Sequence, residues 1–240
     1  MSVLVITGTG TEVGKTAVTA ALAAVAAAEG RRVAVLKPAQ TGLLPGEPGD
    51  VDEVVRLAGP VVTARELVRY PEPLAPATAA RRAGMPTLHP KDIAAEITSL
   101  TQTHDLVLVE GAGGLLVRFD DEGSTIADVA WAVNAPVLVV AHAGLGTLNM
   151  TALTAEALLR RGLESVGVVV GNWPRDPDLA ALCNLTDLPE AAGGPLLGAL
   201  PAGAPHLSRE DFLPVAREAL SPWFGGCFDP ENFTGRFVSP

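Results

Sequence analysis

Six short runs of this sequence are apolar almost without interruption: Val3 to Thr7, Val33 to Pro38, Leu106 to Glu110, Val137 to Ala141, Val166 to Gly171 and Leu196 to Leu200. A strand with one wet face alternates polar and apolar residues, so continuously apolar runs predict strands covered on both faces. Between them lie longer segments with helical spacing or alanine content. These predict helices over Lys15 to Glu29, stopped by Gly30, then Asp50 to Leu57, Lys91 to Thr103, Ile126 to Val133, Thr147 to Arg161 and Asp176 to Leu182. Strand and helix in alternation give an α/β fold, a doubly wound, mostly parallel sheet flanked by helices on both faces. With 240 residues, 48% of them hydrophobic, the chain can bury a full core as one domain over residues 1–240, and no shift in composition marks a second.

Two stretches stand outside this pattern. The Pro-rich segment from Tyr70 to Pro90 reads as a long connection, and such loops in compact domains are often functional. The tail, about residues 221–240, holds Trp223 and four of the six phenylalanines, Phe224, Phe228, Phe233 and Phe237. A solvated tail seldom carries so many aromatics, so this one is expected to dock on the body or on a partner subunit.

Charge and cysteine content exclude several classes. A formal charge of -10 offers no basic face for nucleic acid or an anionic membrane, while leaving room for a small anion at a local site. The longest apolar stretch, Ala17 to Ala28, is too short to span a bilayer, and no basic leader follows Met1, so a cytoplasmic protein is expected. Cys183 and Cys227 belong to no metal or redox spacing and are expected to be thiols.

The strongest local signal is Gly8-Thr9-Gly10-Thr11-Glu12-Val13-Gly14-Lys15-Thr16, directly after one apolar strand and before a helix. There, successive backbone N–H groups and the positive helix end can cradle phosphates. Lys15 adds a point charge, and the Thr16 hydroxyl can ligate Mg²⁺. The usual first glycine of this pattern is replaced by Thr9, with Gly8 one position earlier. The loop makes the expected fold P-loop NTPase-like.

Other polar residues fall at the carboxyl ends of predicted strands, the edge where ligands of open parallel sheets bind. The second strand ends as Lys37-Pro38-Ala39-Gln40-Thr41-Gly42. Lys37 can stabilise charge on a transferred phosphoryl group or simply snorkel to water; the Thr41 hydroxyl can orient a second substrate. Asp50 and Asp52 open the next helix, as caps or as a Mg²⁺ ligand. Glu110 ends the third run before Gly111-Ala112-Gly113-Gly114, and a carboxylate at the end of a buried strand calls for a cation beside it. Gly146, Thr147, Leu148 and Asn149 begin a helix whose free N–H groups can hold a substrate carboxylate, although Thr147 can equally be a plain cap. Asn172, after the fifth run, can read a nucleobase or sit in an ordinary turn.

Taken in order, Thr7 to Thr16, Lys37 to Gly42, Val109 to Gly114 and Leu145 to Asn149 resemble the dethiobiotin synthetase family, with the likeness running to about Pro201. The resemblance implies a Mg²⁺-dependent homodimeric ligase of biotin synthesis. Such an enzyme closes a ureido ring on 7,8-diaminononanoate with CO₂ or bicarbonate and ATP or another nucleoside triphosphate. It implies Lys37 and Lys15 as catalytic residues, Thr41 and Gly146 to Asn149 for the diamine, and Thr16, Asp50 and Glu110 for the metal. Nucleotide would contact Glu12, Val13, Gly14, Lys15, Thr16, Ala17, Asp50, Glu110, Gly111, Ala112 and Gly113. Its base would lie at Asn172, Trp173, Pro201, Ala202 and Gly203.

Two other readings compete. Amidotransferase-type synthetases of cobyrinate-like chemistry share the loop and the acidic strand end but continue into a glutaminase domain. Switch ATPases of the MinD/ParA type carry a signature lysine where this chain has Gly10, and act on membrane or DNA, for which the charge is wrong.

Overall fold

A computed structural model describes residues 2–237. One sheet holds seven strands: β1 (Val3–Gly8), β2 (Val33–Thr41), β3 (Thr63–Tyr70), β4 (Leu106–Gly114), β5 (Val137–Ala141), β6 (Ser165–Trp173) and β7 (Leu196–Pro201). They lie in the order β3-β2-β4-β1-β5-β6-β7, and every pairing is parallel. From β1 the chain crosses to one side to form β2; from β4 it crosses back over β1 to form β5. That reversal opens a crevice at the carboxyl ends of β1 and β4, where an open sheet receives its ligand.

The helices among the described residues are α1 (Lys15–Ala28), α2 (Asp50–Ala58), α3 (Pro76–Ala83), α4 (Pro90–Thr101), α5 (Ile126–Ala132), α6 (Thr147–Arg160), α7 (Leu179–Ala192), α8 (Arg209–Ala219) and α9 (Pro230–Gly235). The pleat of β1 sorts the core. Leu4 and Ile6 face a cluster built with α1, α2 and α8, while Val3 and Val5 face one built with α3, α4 and α5. Burial on both faces is why the strands read as unbroken apolar runs. A third cluster joins β6 and β7 to α7 and to Phe228, with Phe233 and Phe237 packed against it.

Several elements depart from expectation for local reasons. β3 carries Arg65, Glu66 and Arg69 and is only partly buried, because it lies at the edge of the sheet and needs no continuous apolar run. The stretch from Tyr70 to Pro90 is not all loop. Pro76 opens α3, where its fixed φ suits the first turn, and Gly84 closes it in the left-handed region at φ 63°. α7 starts later than Asp176, at Leu179, because Asp178 caps it by accepting from the Ala181 N–H at 2.8 Å; it then continues past Leu182 to Ala192. α8, capped by Ser208, lies outside every predicted segment. β2 and β4 run on to Thr41 and Gly114, which makes them long enough to carry site residues at their ends.

Within the tail, Phe228 is buried and Trp223 exposed, and residues 238–240 lie outside the described residues. No helix among the described residues is long and apolar enough to cross a membrane, and both cysteines are free and exposed.

Candidate active site

The loop between β1 and α1 takes its shape from backbone conformations that few residues tolerate. Glu12 (φ 60°) and Gly14 (φ 93°) both adopt left-handed conformations, so the amides around them turn toward one concavity. Gly14 has a further constraint, since a Cβ there would sit 2.3 Å from the Gly171 carbonyl oxygen at the end of β6. α1 then begins at Lys15 without a side-chain cap, leaving its first-turn N–H groups for a ligand. The Lys15 ammonium reaches back over the loop to the Gly10 carbonyl at 2.8 Å. Burial and the charge on Lys37 lower its pKa to about 8, against the opposing pull of Glu110 and Asp50.

Five side chains converge beside the loop. Glu110, 1% exposed at the end of β4, accepts from the Thr16 hydroxyl at 2.9 Å and from the Thr19 hydroxyl at 2.7 Å. Lys37, 4% exposed on β2, donates to Glu110 at 2.8 Å and to the Gly111 carbonyl at 3.2 Å, and its ammonium stands 2.6 Å from Asp50. Burial is the largest single influence on Lys37 and pulls its pKa down. Glu110 and Asp50 together outweigh it, so the lysine titrates above its ordinary value and stays charged. The buried Glu110 thus has the cation that its position demands, and Lys37 is held in the site, not turned out to water.

The two candidate acids of α2 separate cleanly. Asp52 turns back to accept from the Gly49 N–H at 2.7 Å and serves the helix start; Asp50 faces Lys37. Gln40 orients that turn, its side-chain oxygen accepting from the Asp50 N–H at 3.0 Å. Gln40 lay within the motif at the end of β2, but no sequence rule marked it as the support of an acid ten residues on.

Lys37, Glu110, Asp50, Lys15 and Thr16 line one cavity of about 740 Å³, a size suited to a small-molecule site. Thr11, Glu12, Gly14, Ala17, Thr41, Ala112 and Gly113 share its wall. Pro73 to Pro76, from the Pro-rich stretch, and Pro205 complete its lining. Val13 is buried under the loop, and Gly111 contributes its carbonyl to Lys37.

The remaining predicted residues do not line this cavity. Gly146 to Asn149 form the start of α6, where Gly146 (φ 92°) gives no side-chain cap and Thr147 is buried with its hydroxyl unpartnered among the described residues. Asn172 is exposed at the end of β6, while the Trp173 ring points into the third core cluster. Pro201, Ala202 and Gly203 follow β7, and the Ala202 N–H donates to the Trp173 carbonyl at 2.6 Å.

Hard oxygen donors, one hydroxyl and two carboxylates, fit Mg²⁺. That a lysine ammonium already sits between the two acids, at 2.6 and 2.8 Å, indicates that their convergence requires positive charge.

Comparison with known proteins agrees with this geometry. The AAA domain family matches residues 2–210. The ATP-dependent dethiobiotin synthetase BioD of Streptomyces avermitilis is 63% identical over 238 residues, 99% of this chain and 100% of that protein. Its counterpart in Saccharopolyspora erythraea is 67% identical over 226 residues, 94% and 98% of the two chains. Among solved structures, the cell division ATPase MinD of Pyrococcus furiosus superposes with a TM-score of 0.55 at 20% identity, over 90% of each chain. A ParA family ATPase of Chlorobium tepidum gives 0.55 at 12% identity, over 97% and 96%. Those two likenesses are of fold alone. End-to-end identity above 60% to proteins of one activity is a different matter, and with the loop, lysine and acids in one cavity, the chain belongs to the dethiobiotin synthetase family.

Proposed function

We propose that this chain, acting as one synthetase domain, closes the ureido ring of dethiobiotin from 7,8-diaminononanoate, CO₂ and ATP. The observation that carries this reading is the buried Lys37 ammonium, held between Glu110 and Asp50 on the wall of the phosphate-loop cavity. One amine of the diamine takes up CO₂ and loses a proton to give a carbamate. A carbamate oxygen then attacks the γ-phosphorus; the bond to the β–γ bridging oxygen breaks and ADP leaves. The second amine attacks the carbamoyl carbon of the mixed anhydride, inorganic phosphate departs, and that amine gives up a proton as the ring closes.

Two anions must meet in the second step, so the site needs fixed positive charge where they approach. Lys15 belongs with the β- and γ-phosphates, and Lys37 with the carbamate and the γ-phosphate. Thr16, Asp50 and Glu110 would hold Mg²⁺, which supplies further charge neutralisation on the phosphates. Thr41 serves the diamine or its carbamate. Asn172 and the turn Pro201 to Gly203 would lie against the nucleoside.

The start of α6 belongs to the same reading through a dimer. Leu145 is 92% exposed, and Met150 and Leu153 continue an exposed apolar strip along the helix, a surface that a second copy would cover. Gly146 to Asn149, outside the cavity of their own protomer, would then bring their N–H groups to the diamine carboxylate in the partner.

The test is incorporation of labelled bicarbonate into acid-stable product with purified protein, the diamine, Mg²⁺ and each nucleoside triphosphate in turn. Diamine-dependent label with equal release of the nucleoside diphosphate is expected. Hydrolysis that ignores the diamine would overturn the reading and favour a switch ATPase.

A further inference from the structure

The aromatic tail packs against the joint between the phosphate loop and the turn after β7. The Gly171 backbone abuts the loop, where a Cβ would fall 2.2 Å from the Val13 carbonyl oxygen and 3.0 Å from the Gly14 Cα. Two residues further on, Trp173 pairs in register with Pro201 and accepts the Ala202 N–H at 2.6 Å. Pro205, three residues beyond Ala202, lines the cavity. The end of β6 therefore abuts the loop that receives phosphates and is hydrogen-bonded to the turn after β7, whose Ala202 lies three residues ahead of Pro205 on the cavity wall.

What holds that joint is unusual for a tryptophan. Trp173 is 5% exposed, yet its Nε1 makes no hydrogen bond among the described residues. Among the described residues, what orients the indole is packing. Phe233 meets it edge-on with centroids 5.3 Å apart, Phe237 lies tilted at 5.4 Å, and Phe228 backs Phe233 at 5.1 Å. All three phenylalanines come from the tail.

We propose that Phe228 to Phe237 form a positioning element of the nucleotide site, which acts through Trp173 to set nucleotide affinity and base selectivity. The proposal rests on the placement of the nucleoside at Asn172 and the turn Pro201 to Gly203. A preorganised strand end and turn present their backbone groups to a nucleoside without an ordering cost; loosened, they present the same groups less often. Binding of the nucleoside suffers, while the groups around Lys37 and Glu110, on β2 and β4, are untouched.

The experiment compares the full-length wild type with the Phe233→Ala/Phe237→Ala, Phe237→Ala, Phe233→Leu and Asn172→Ala variants. For each, kcat and KM are measured with ATP, the other nucleoside triphosphates and the diamine. In the double variant, KM for ATP should rise roughly tenfold and the ranking of nucleotides should flatten, with kcat and the diamine KM nearly unchanged. Phe233→Leu should keep wild-type values. If the double variant does not fold, Phe237→Ala at the rim of the cluster is read in the same way with a smaller rise. Unchanged KM and selectivity in the tail variants, with Asn172→Ala responding, would overturn the proposal alone, whatever the melting temperature does. Silence of both would overturn the nucleoside placement beneath it, and a tail response without an Asn172 response would overturn the route through β6.

Discussion

Lys15 and Lys37 are both buried lysines in one cavity, but they answer to different neighbours. Lys15 bonds to a backbone carbonyl and is pulled down in pKa, whereas Lys37 sits between two carboxylates and is pulled up. Lys15→Ala is therefore expected to weaken nucleotide binding, read by calorimetry, while Lys37→Ala should abolish ring closure and largely retain binding. Lys37→Ala also strips Glu110 of its buried partner, a change worth about 3–5 kcal/mol in comparable sites. Its melting temperature should fall in the presence of chelator and recover in part with Mg²⁺. A variant as stable in chelator as the wild type would show that the pair is not what neutralises Glu110.

At the scale of elements, the fold depends on close backbone approaches and on ties between strands. Gly14 and Gly171 touch across β6 and the phosphate loop with no room for a Cβ on either. Gly171→Ala should cost about 1–3 kcal/mol or more by overpacking, seen as a lower denaturant midpoint, and should weaken nucleotide binding as the loop is pushed away. At the opposite end of the sheet, Arg32 ahead of β2 grips Asp105 ahead of β4, with contacts at 2.7 and 3.1 Å and a backbone N–H at 2.8 Å. The Arg32 side chain and backbone hold the Asp105 carboxyl well below its usual range. Because the folded pKa is depressed, this tie stabilises above the unfolded pKa of about 4 and is lost as pH falls below it. Asp105→Asn should flatten the acid limb of the stability curve below about pH 5, and a limb as steep as wild type would count against the tie. Elements with strong local signals were legible in the sequence: the apolar strands, α1 with its alanines and Gly30, and the phosphate loop. β3, α3 and α8 were not. An edge strand needs only one covered side, a proline at the first turn looks like a loop, and a helix packed on a neighbouring helix shows a pattern diluted by charge.

For the whole molecule, the exposed strip of Leu145, Met150 and Leu153 carries the expected association. Light scattering should give a mass near twice that of one chain, and Leu153→Glu should lower it toward the monomer with loss of ring closure. A fully active monomer would break the link between α6 and the diamine carboxylate. The tail adds a second level of organisation, since Phe228, Phe233 and Phe237 complete the third core cluster around Trp173.

The amino-acid sequence determined the parallel sheet, the phosphate loop and the candidate polar groups of the site, because each rests on local signals: strand periodicity, glycine at left-handed positions, a lysine or acid at a strand end. It also placed Lys37, Thr16 and Glu110 at the same edge. Only the tertiary structure turned Asp50 toward Lys37 and Asp52 back onto the Gly49 N–H, since both open α2 and their surroundings diverge through Gln40 and Lys37, which reach Asp50 from β2. It alone turned the Trp173 ring into the core and laid the tail against it. Those contacts join residues that are far apart in the chain, and no local propensity encodes which distant partner will be near.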